Sequence, residues 1–426
     1  MKRTIGTAMS LILSLALLAG CGAKAEPTTA AAQQTVAQTE AQTAAQTEAE
    51  KAEAGKAEAE KAEAAAEQTA AEAAAEQTAA EAAEDEDDEI ADEDVEGELV
   101  IYTSMYPFAI EMMDQALKEK FPNLQPGNDG SFFYYSGTSA LITKIYGEMG
   151  DNHDQPLDAD MFMVAEPAFS LELKDYGYLH PFKVKNADSL LRFDYDKEGY
   201  WYPVRVLNMV LASNPEMEQQ WAEKGVNIPK TFKDFAYDPS LKNYISMSDP
   251  MTSGSAYASV VALLDKYGEE YLDKLNENKV MRESGSTAIA KLQSGECASI
   301  MILEESILKM IDDEEKKGNE VKNLKVTYPE DGVILIPSTV MIVAEEYSKN
   351  VNTEAAEAVA KWMLTEEAQK IITQAYMHSV LASGVDCPAH SIDTNELIGM
   401  DMGVNWDKAY HEREQINALW TEKVTK

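Results

Sequence analysis

From Glu98 onward the chain alternates two kinds of apolar segment, and that alternation constrains its fold more than any other feature. Glu98-Leu-Val-Ile-Tyr102 reads as a strand and Phe108 to Phe121 as an amphipathic helix. Phe132 to Tyr135 and Ala140 to Met149 repeat the pair, as do Asp160-Met-Phe-Met-Val164 and Ala168 to Tyr176. Strands separated by helices of this length predict an α/β fold with largely parallel sheets. Ligands of such sheets sit at the carboxyl ends of the strands, against helix N-termini.

Upstream of that pattern nothing can build a core. Residues 22–96 contain no aromatic residue, with Lys-Ala-Glu-Ala repeating from Lys51 and Glu-Gln-Thr-Ala-Ala-Glu-Ala from Glu67. So little apolar surface predicts a disordered, acidic Ala/Glu-rich tether. A coiled coil or docking arm is the alternative, but the repeat has no apolar stripe to hold a partner. Ahead of it, Lys2 and Arg3 precede an apolar run that ends in Leu18-Ala-Gly-Cys21. A basic start, a short apolar run and small residues predict a signal peptide over 1–20, too short for a spanning helix. The Cys at that position resembles the lipobox of bacterial lipoproteins. The resemblance implies lipidation at Cys21, as by palmitate, a lipid-anchored low-complexity linker over 21–96, and an extracytoplasmic location on the cell surface or in the periplasm.

Of the formal net charge of −39, −18 falls on residues 22–96 and −23 on residues 97–426. A field of that sign argues against a partner that is nucleic acid or a lipid surface held by charge. Residues 97–426 are enough for two cores.

The strand ends carry a recurring chemistry. Thr103-Ser104 follows the first strand, and Ser136-Gly137-Thr138-Ser139 lies between a strand and a helix. Thr252-Ser253-Gly254-Ser255 precedes a helix from Ala256, and Ser284-Gly285-Ser286-Thr287 another over Ala288 to Gln293. Hydroxyls and flexible backbone at a helix N-terminus offer O–H and N–H donors at the positive end of the dipole, which suits an anion or a polar oxygen. Any one such loop is equally an ordinary cap or turn. Four of them predict that at least two converge on one cleft.

The order of features over residues 97–426 resembles the type 2 extracellular solute-binding proteins of ABC importers, in the group that includes ferric-ion, 2-aminoethylphosphonate and hexose-phosphate binders. The resemblance is carried by Leu99-Val-Ile-Tyr-Thr-Ser104, Tyr135-Ser-Gly-Thr-Ser139, and Leu157-Asp-Ala-Asp-Met161 leading to Tyr176-Gly-Tyr-Leu-His-Pro181. It continues through Trp201-Tyr-Pro-Val-Arg205 with Asn214-Pro215, Asp249-Pro-Met-Thr-Ser-Gly-Ser-Ala-Tyr257, Tyr328-Pro-Glu-Asp-Gly332 and Asn405-Trp406-Asp407. It implies two α/β domains joined by two crossing hinge strands, around Val206 to Ala212 and Val333 to Val343. Domain 1 would then be discontinuous, 97–208 plus 336–426, and domain 2 would be 209–335. A monomer would close by its hinge around a small-molecule solute and present it to a permease and its ATPase, with no catalytic residue and no cofactor.

Ligand identity follows the departures from that pattern. Ferric binders of the group carry adjacent tyrosines with a His or carboxylate. Here Tyr134-Tyr135 fall in a strand that sends them to opposite faces, and the second-domain Ser-Gly loop is followed only by Tyr257. No metal site is expected. Where hexose-phosphate binders carry a His-Asp pair this chain has Leu303-Glu304-Glu305-Ser306, and a Glu recurs near Glu330. The acids are kept and the histidine is lost. Arg205 would clamp an anion in bidentate fashion or serve an inter-strand salt bridge. The expected solute is therefore anionic, a phosphonate or phosphorylated compound. A ferric-ion receptor of the same fold and a secreted phosphate-ester enzyme are the alternatives. The five histidines have no zinc spacing, and neither a nucleophile elbow nor a Walker loop is present. Cys297 and Cys387 could pair or remain thiols.

Overall fold

A computed structural model describes residues 91–425. The chain divides into two units, Met1–Asp87 and Asp88–Lys426. The signal peptide, Cys21 and nearly all of the linker lie outside the described residues. The linker's last residues do not: Val95 is a core residue, and the Asn123 side-chain amide donates to the Glu93 carbonyl.

The strands are β1 (Gly97–Leu99), β2 (Ile101–Thr103), β3 (Leu124–Pro126), β4 (Phe133–Tyr135), β5 (Met161–Ala165), β6 (Leu179–His180) and β7 (Tyr202–Ser213). They continue as β8 (Ile245–Met247), β9 (Met281–Arg282), β10 (Ser299–Leu303), β11 (Lys325–Thr327) and β12 (Ile334–Val343). The large sheet runs β4-β2-β5-β12-β7-β10-β8-β9, with β6 on β12 and β11 on β7. Its first three and last three strands pair in parallel within each group, and every pairing of β12 and β7 is antiparallel. Two parallel halves thus hang on two long crossing strands, as the family resemblance implied, with helices between the strands where the periodicity predicted them.

The strand expected over 98–102 is broken at Val100. Its amide donates to Asp160 Oδ2 at 2.7 Å, so β1 joins β3 in a separate small sheet while β2 enters the large one. Asp160 is buried and also accepts from Ser348 and Asn350, which makes it a fixed corner between the two sheets.

β7 is buried along its whole length, which is why it reads as a nearly continuous apolar run. Arg205, Asn208 and the terminal Ser213 are its buried polar exceptions. Pro337 of β12 stands opposite Val206, and a proline cannot donate to a ladder. Nothing is lost there, because the Val206 amide and carbonyl both turn to His378, at 2.9 and 3.0 Å. That exchange brings the segment around residue 378 onto the hinge strand.

The last two helices, Trp406–His411 and Arg413–Val424, were expected with domain 1 and make many of their contacts elsewhere. Lys408 pairs with Asp265 and Lys423 with Asp273, both on helices that follow β8, while helix 406–411 also packs on Pro167–Asp175. They strap the two halves together. No helix among the described residues is long and apolar enough to cross a membrane.

Candidate functional site

Two of the hydroxyl loops do meet. Helix Thr138–Met149 begins after β4 and helix Gly254–Tyr267 begins after β8, in opposite halves of the sheet. A Cβ placed on Gly254 would stand 2.7 Å from Thr138 Cγ2 and 3.0 Å from the Ala165 carbonyl oxygen. Only a glycine permits that approach. Ser104 reaches the same point, its hydroxyl accepting from the Ala165 amide at 3.2 Å. Gly137 is the N-cap of its helix and supplies no side-chain acceptor to the first-turn amides, whereas Ser253 caps its own helix by accepting from Ala256 N. The first turn after Gly137 is thus the more open donor set toward an anion. Ser136 donates its amide to the Thr103 carbonyl, Ser139 is half-buried at the first turn, and Ser255 shares a hydrogen bond with Ser253. Thr252 is exposed and turns its hydroxyl to the Asp249 carbonyl.

Two residues beyond Ser104 the chain makes a second contact between the halves. The Tyr106 hydroxyl lies 3.3 Å from Ser306 Oγ, at the start of helix Glu304–Lys316, which follows β10. Beneath it are Arg205 and Glu305, each only 1% exposed. Nη1 of Arg205 points to Met377 sulfur at 2.9 Å, while its Nε and Nη2 and the Oε1 of Glu305 have no hydrogen-bond partner. Burial pushes the Glu305 carboxyl up to about 8; the nearby guanidinium opposes that rise and Glu304 adds to it. Burial likewise lowers Arg205 to about 10, against the attraction of Glu305 and Tyr106, so it stays a cation at neutral pH.

Glu304, the neighbouring acid, has the opposite environment. Its Oε2 accepts from Asn208 at 2.8 Å and lies 3.1 Å from His378 Nε2; its Oε1 accepts from Ser391 at 2.7 Å and from the Tyr328 hydroxyl. Burial alone would raise this carboxyl, but His378, Tyr328 and Ser391 outweigh it and hold it below the usual range. With both oxygens engaged, Glu304 is a hub of the hinge and not a free ligand contact. The histidine missing from the 303–306 segment is thus present in space, delivered from residue 378.

Two other expected contacts are also spent on the protein, and a third lies elsewhere. Thr103 is fully buried and its hydroxyl bonds the Met163 carbonyl. Tyr257 donates to the Ala409 carbonyl at 2.6 Å, beneath the Arg413 guanidinium. Glu330 is exposed, donates its amide to the Lys230 carbonyl and lines a different cavity. Tyr134 packs on Tyr102 while Tyr135 is 47% exposed, the opposite facing that alternation predicted. Cys297 and Cys387 are free thiols, and burial pushes Cys297 up to about 12. Among the described residues no group of three or more His, Cys, Asp or Glu is arranged around a metal position.

Behind the Thr138–Gly254 contact sits Glu166, fully buried at φ 127°, a backbone region that strains a residue with a side chain. Its Oε1 accepts from Arg413 at 2.8 Å and its Oε2 has no partner. Burial raises its carboxyl despite Arg413. The residues that sequence reasoning missed, Tyr106, Ser306, His378 and Arg413, carry no local motif, although Tyr106 stands only two positions after Ser104.

Two α/β halves therefore hang on crossing strands, with hydroxyl loops of opposite halves in contact and Arg205 buried with two unpartnered nitrogens. The family model for bacterial extracellular solute-binding proteins matches residues 158–404, more than half of the chain. The chain belongs to that family, and its fold is that of the type 2 solute-binding proteins of ABC importers. An uncharacterized protein of Haemophilus influenzae is 24% identical over 189 residues, 43% of this chain and 51% of that one, so the chain spans about half the length of this curated relative. Among solved structures, the periplasmic binding protein AfuA from Actinobacillus pleuropneumoniae with fructose-6-phosphate bound superposes with a TM-score of 0.62 at 20% identity, over 77% of this chain and 99% of that one. Iron-bound HitA from Pseudomonas aeruginosa gives 0.62 at 19% identity over the same shares. At such identities these likenesses speak to the fold alone.

Proposed function

We propose that the chain is the lipid-anchored receptor of an ABC importer, holding a small anionic solute of the phosphonate or phosphorylated class between its halves. Domain 1 is 97–208 plus 336–426, strapped to domain 2 (209–335) by its last two helices, and the monomer closes about β7 and β12. Lipid at Cys21 keeps it at the outer face of the membrane, where a permease and its ATPase take the solute. The observation that carries the reading is Arg205, buried with two of its nitrogens, Nε and Nη2, unpartnered. An uncompensated buried cation is costly unless an anion meets it. Ser104, Ser136, Gly137, Thr138, Ser139, Ser253, Gly254 and Ser255 supply neutral donors, and distant surface acids are screened.

The test is a melting panel with sulfate, inorganic phosphate, 2-aminoethylphosphonate, fructose 6-phosphate and Fe(III)-citrate. A bound ligand at about 100 times its dissociation constant adds roughly 2.7 kcal/mol of stability. A shift with at least one anion, abolished by Arg205→Met, is expected. Stabilisation by iron alone would return the ferric alternative, and turnover of the phosphate ester would return the enzyme.

A further inference from the structure

Glu305 is an acid placed where an anion's receptor should have no second negative charge. It is 1% exposed in the first turn of helix Glu304–Lys316, and its Oε1 has no partner. No N–H of Arg205 reaches it: Nε and Nη2 bond nothing and Nη1 points to Met377. The two groups therefore attract each other without forming an ion pair. Around Glu305 the titratable and charged groups are Arg205 of β7, Tyr106 of the segment after β2, and Glu304 of its own helix. Glu304 keeps its negative charge because four side chains, those of Asn208, Tyr328, His378 and Ser391, serve its two oxygens. Two adjacent buried carboxylates cannot both stay ionised cheaply, and the one that takes the proton is Glu305, which has only a backbone N–H of its own helix turn as donor while its Oε1 has none.

We propose that Glu305 binds solute as a neutral carboxylic acid, donating a hydrogen bond from its side-chain O–H to the same anion that Arg205 holds by charge. This rests on the anion-receptor reading and deepens it: an anion of two charges is admitted only together with one proton on Glu305. The proton comes from solvent, no covalent bond to the solute changes, and release of the solute at alkaline pH returns the proton. An ionised Glu305 would repel the anion and leave its own Oε1 without a donor.

The unliganded acid lies up at about 8, so at pH 6.5 it is already protonated and at pH 9 it is mostly ionised. The full mature chain is titrated calorimetrically with sulfate, whose charge is constant over this range, and with fructose 6-phosphate, at both pH values and in two buffers of different protonation enthalpy. Wild type is expected to take up close to one proton per site at pH 9 and almost none at 6.5, with affinity roughly tenfold weaker at pH 9. Glu305→Gln keeps a donor that does not titrate, so it should bind at both pH values without proton uptake, while Glu305→Ala should weaken binding at pH 6.5. Equal wild-type affinity at the two pH values without proton uptake overturns the proposal, as does Glu305→Gln binding no better than Glu305→Ala at pH 6.5. Binding of neither probe at either pH overturns the anion-receptor reading itself, and this proposal with it.

Discussion

Replacing Gly254 with alanine should separate affinity from stability. The added Cβ would come within 2.7 Å of Thr138 Cγ2 and 3.0 Å of the Ala165 carbonyl oxygen, and one of these is backbone. Thr138 is β-branched and cannot swing its methyl aside freely. Forcing a methyl into such a contact costs about 1–3 kcal/mol. Because Gly254 and Thr138 belong to opposite halves, the proposed hinge closure places that strain on the closed form alone. At about 1.4 kcal/mol per decade, affinity for the anion probe should drop roughly 5- to 150-fold. On the proposed hinge closure the alanine should meet neither neighbour once the halves part, and as the first helical residue it should raise stability by about 0.4–1 kcal/mol through the unfolded chain. The variant should therefore melt at the same or a higher temperature without ligand and gain less from ligand. Calorimetric titration beside differential scanning calorimetry reads both quantities. Adding Thr138→Ser, which removes Cγ2, should recover part of the affinity. Wild-type affinity in Gly254→Ala would refute the reasoning that the Gly254–Thr138 approach belongs to the proposed closed form.

Two further substitutions separate structural from ligand roles. Tyr257→Phe removes the donor to the Ala409 carbonyl; urea unfolding should show a loss of about 1–3 kcal/mol, and anion affinity should not change. For Glu304→Gln, the loss at pH 7 should be about 1.5–3 kcal/mol, since hydrogen bonds to a charged group go. Glu304 is held below its ordinary value of 4.5, so its contribution is present above that pH and is lost as pH falls through the lowered folded-state value. The gap between wild type and Glu304→Gln should accordingly close in acid, and a constant gap from pH 7 to 3 would contradict the hub assigned to Glu304.

The alternation of segments made the architecture readable, because strand and helix periodicities are local properties. Thr138 and Gly254 were legible for the same reason, as hydroxyl and glycine at predicted strand ends. Arg205 was legible as a residue type and not as an environment: nothing in Trp201 to Arg205 tells a buried cation from a surface clamp. His378 could not be found from spacing, since it reaches Glu304 only because Val206 turns its backbone away from Pro337. Val95 was lost in an acidic run, a single apolar residue that composition averages away. The Thr103 and Tyr257 hydroxyls donate to backbone carbonyls, a use that a hydroxyl at a strand end or helix start does not betray in the sequence.

The C-terminal strap also imposes an order on assembly. The contacts of Lys408 with Asp265, Lys423 with Asp273 and Arg413 with Glu166 span 143, 150 and 247 residues. Contacts of such separation form late, since the loop must close before they contribute. A chain that emerges N-terminus first has both halves of its sheet in hand before residues 406–424 arrive. Until they do, Glu166 is a strained carboxylate with no counter-charge behind the mouth of the site. Residues 406–424 thus complete the wall late, and a chain without them would keep the halves joined through β7 and β12 while losing the ion pairs that brace them at the helices.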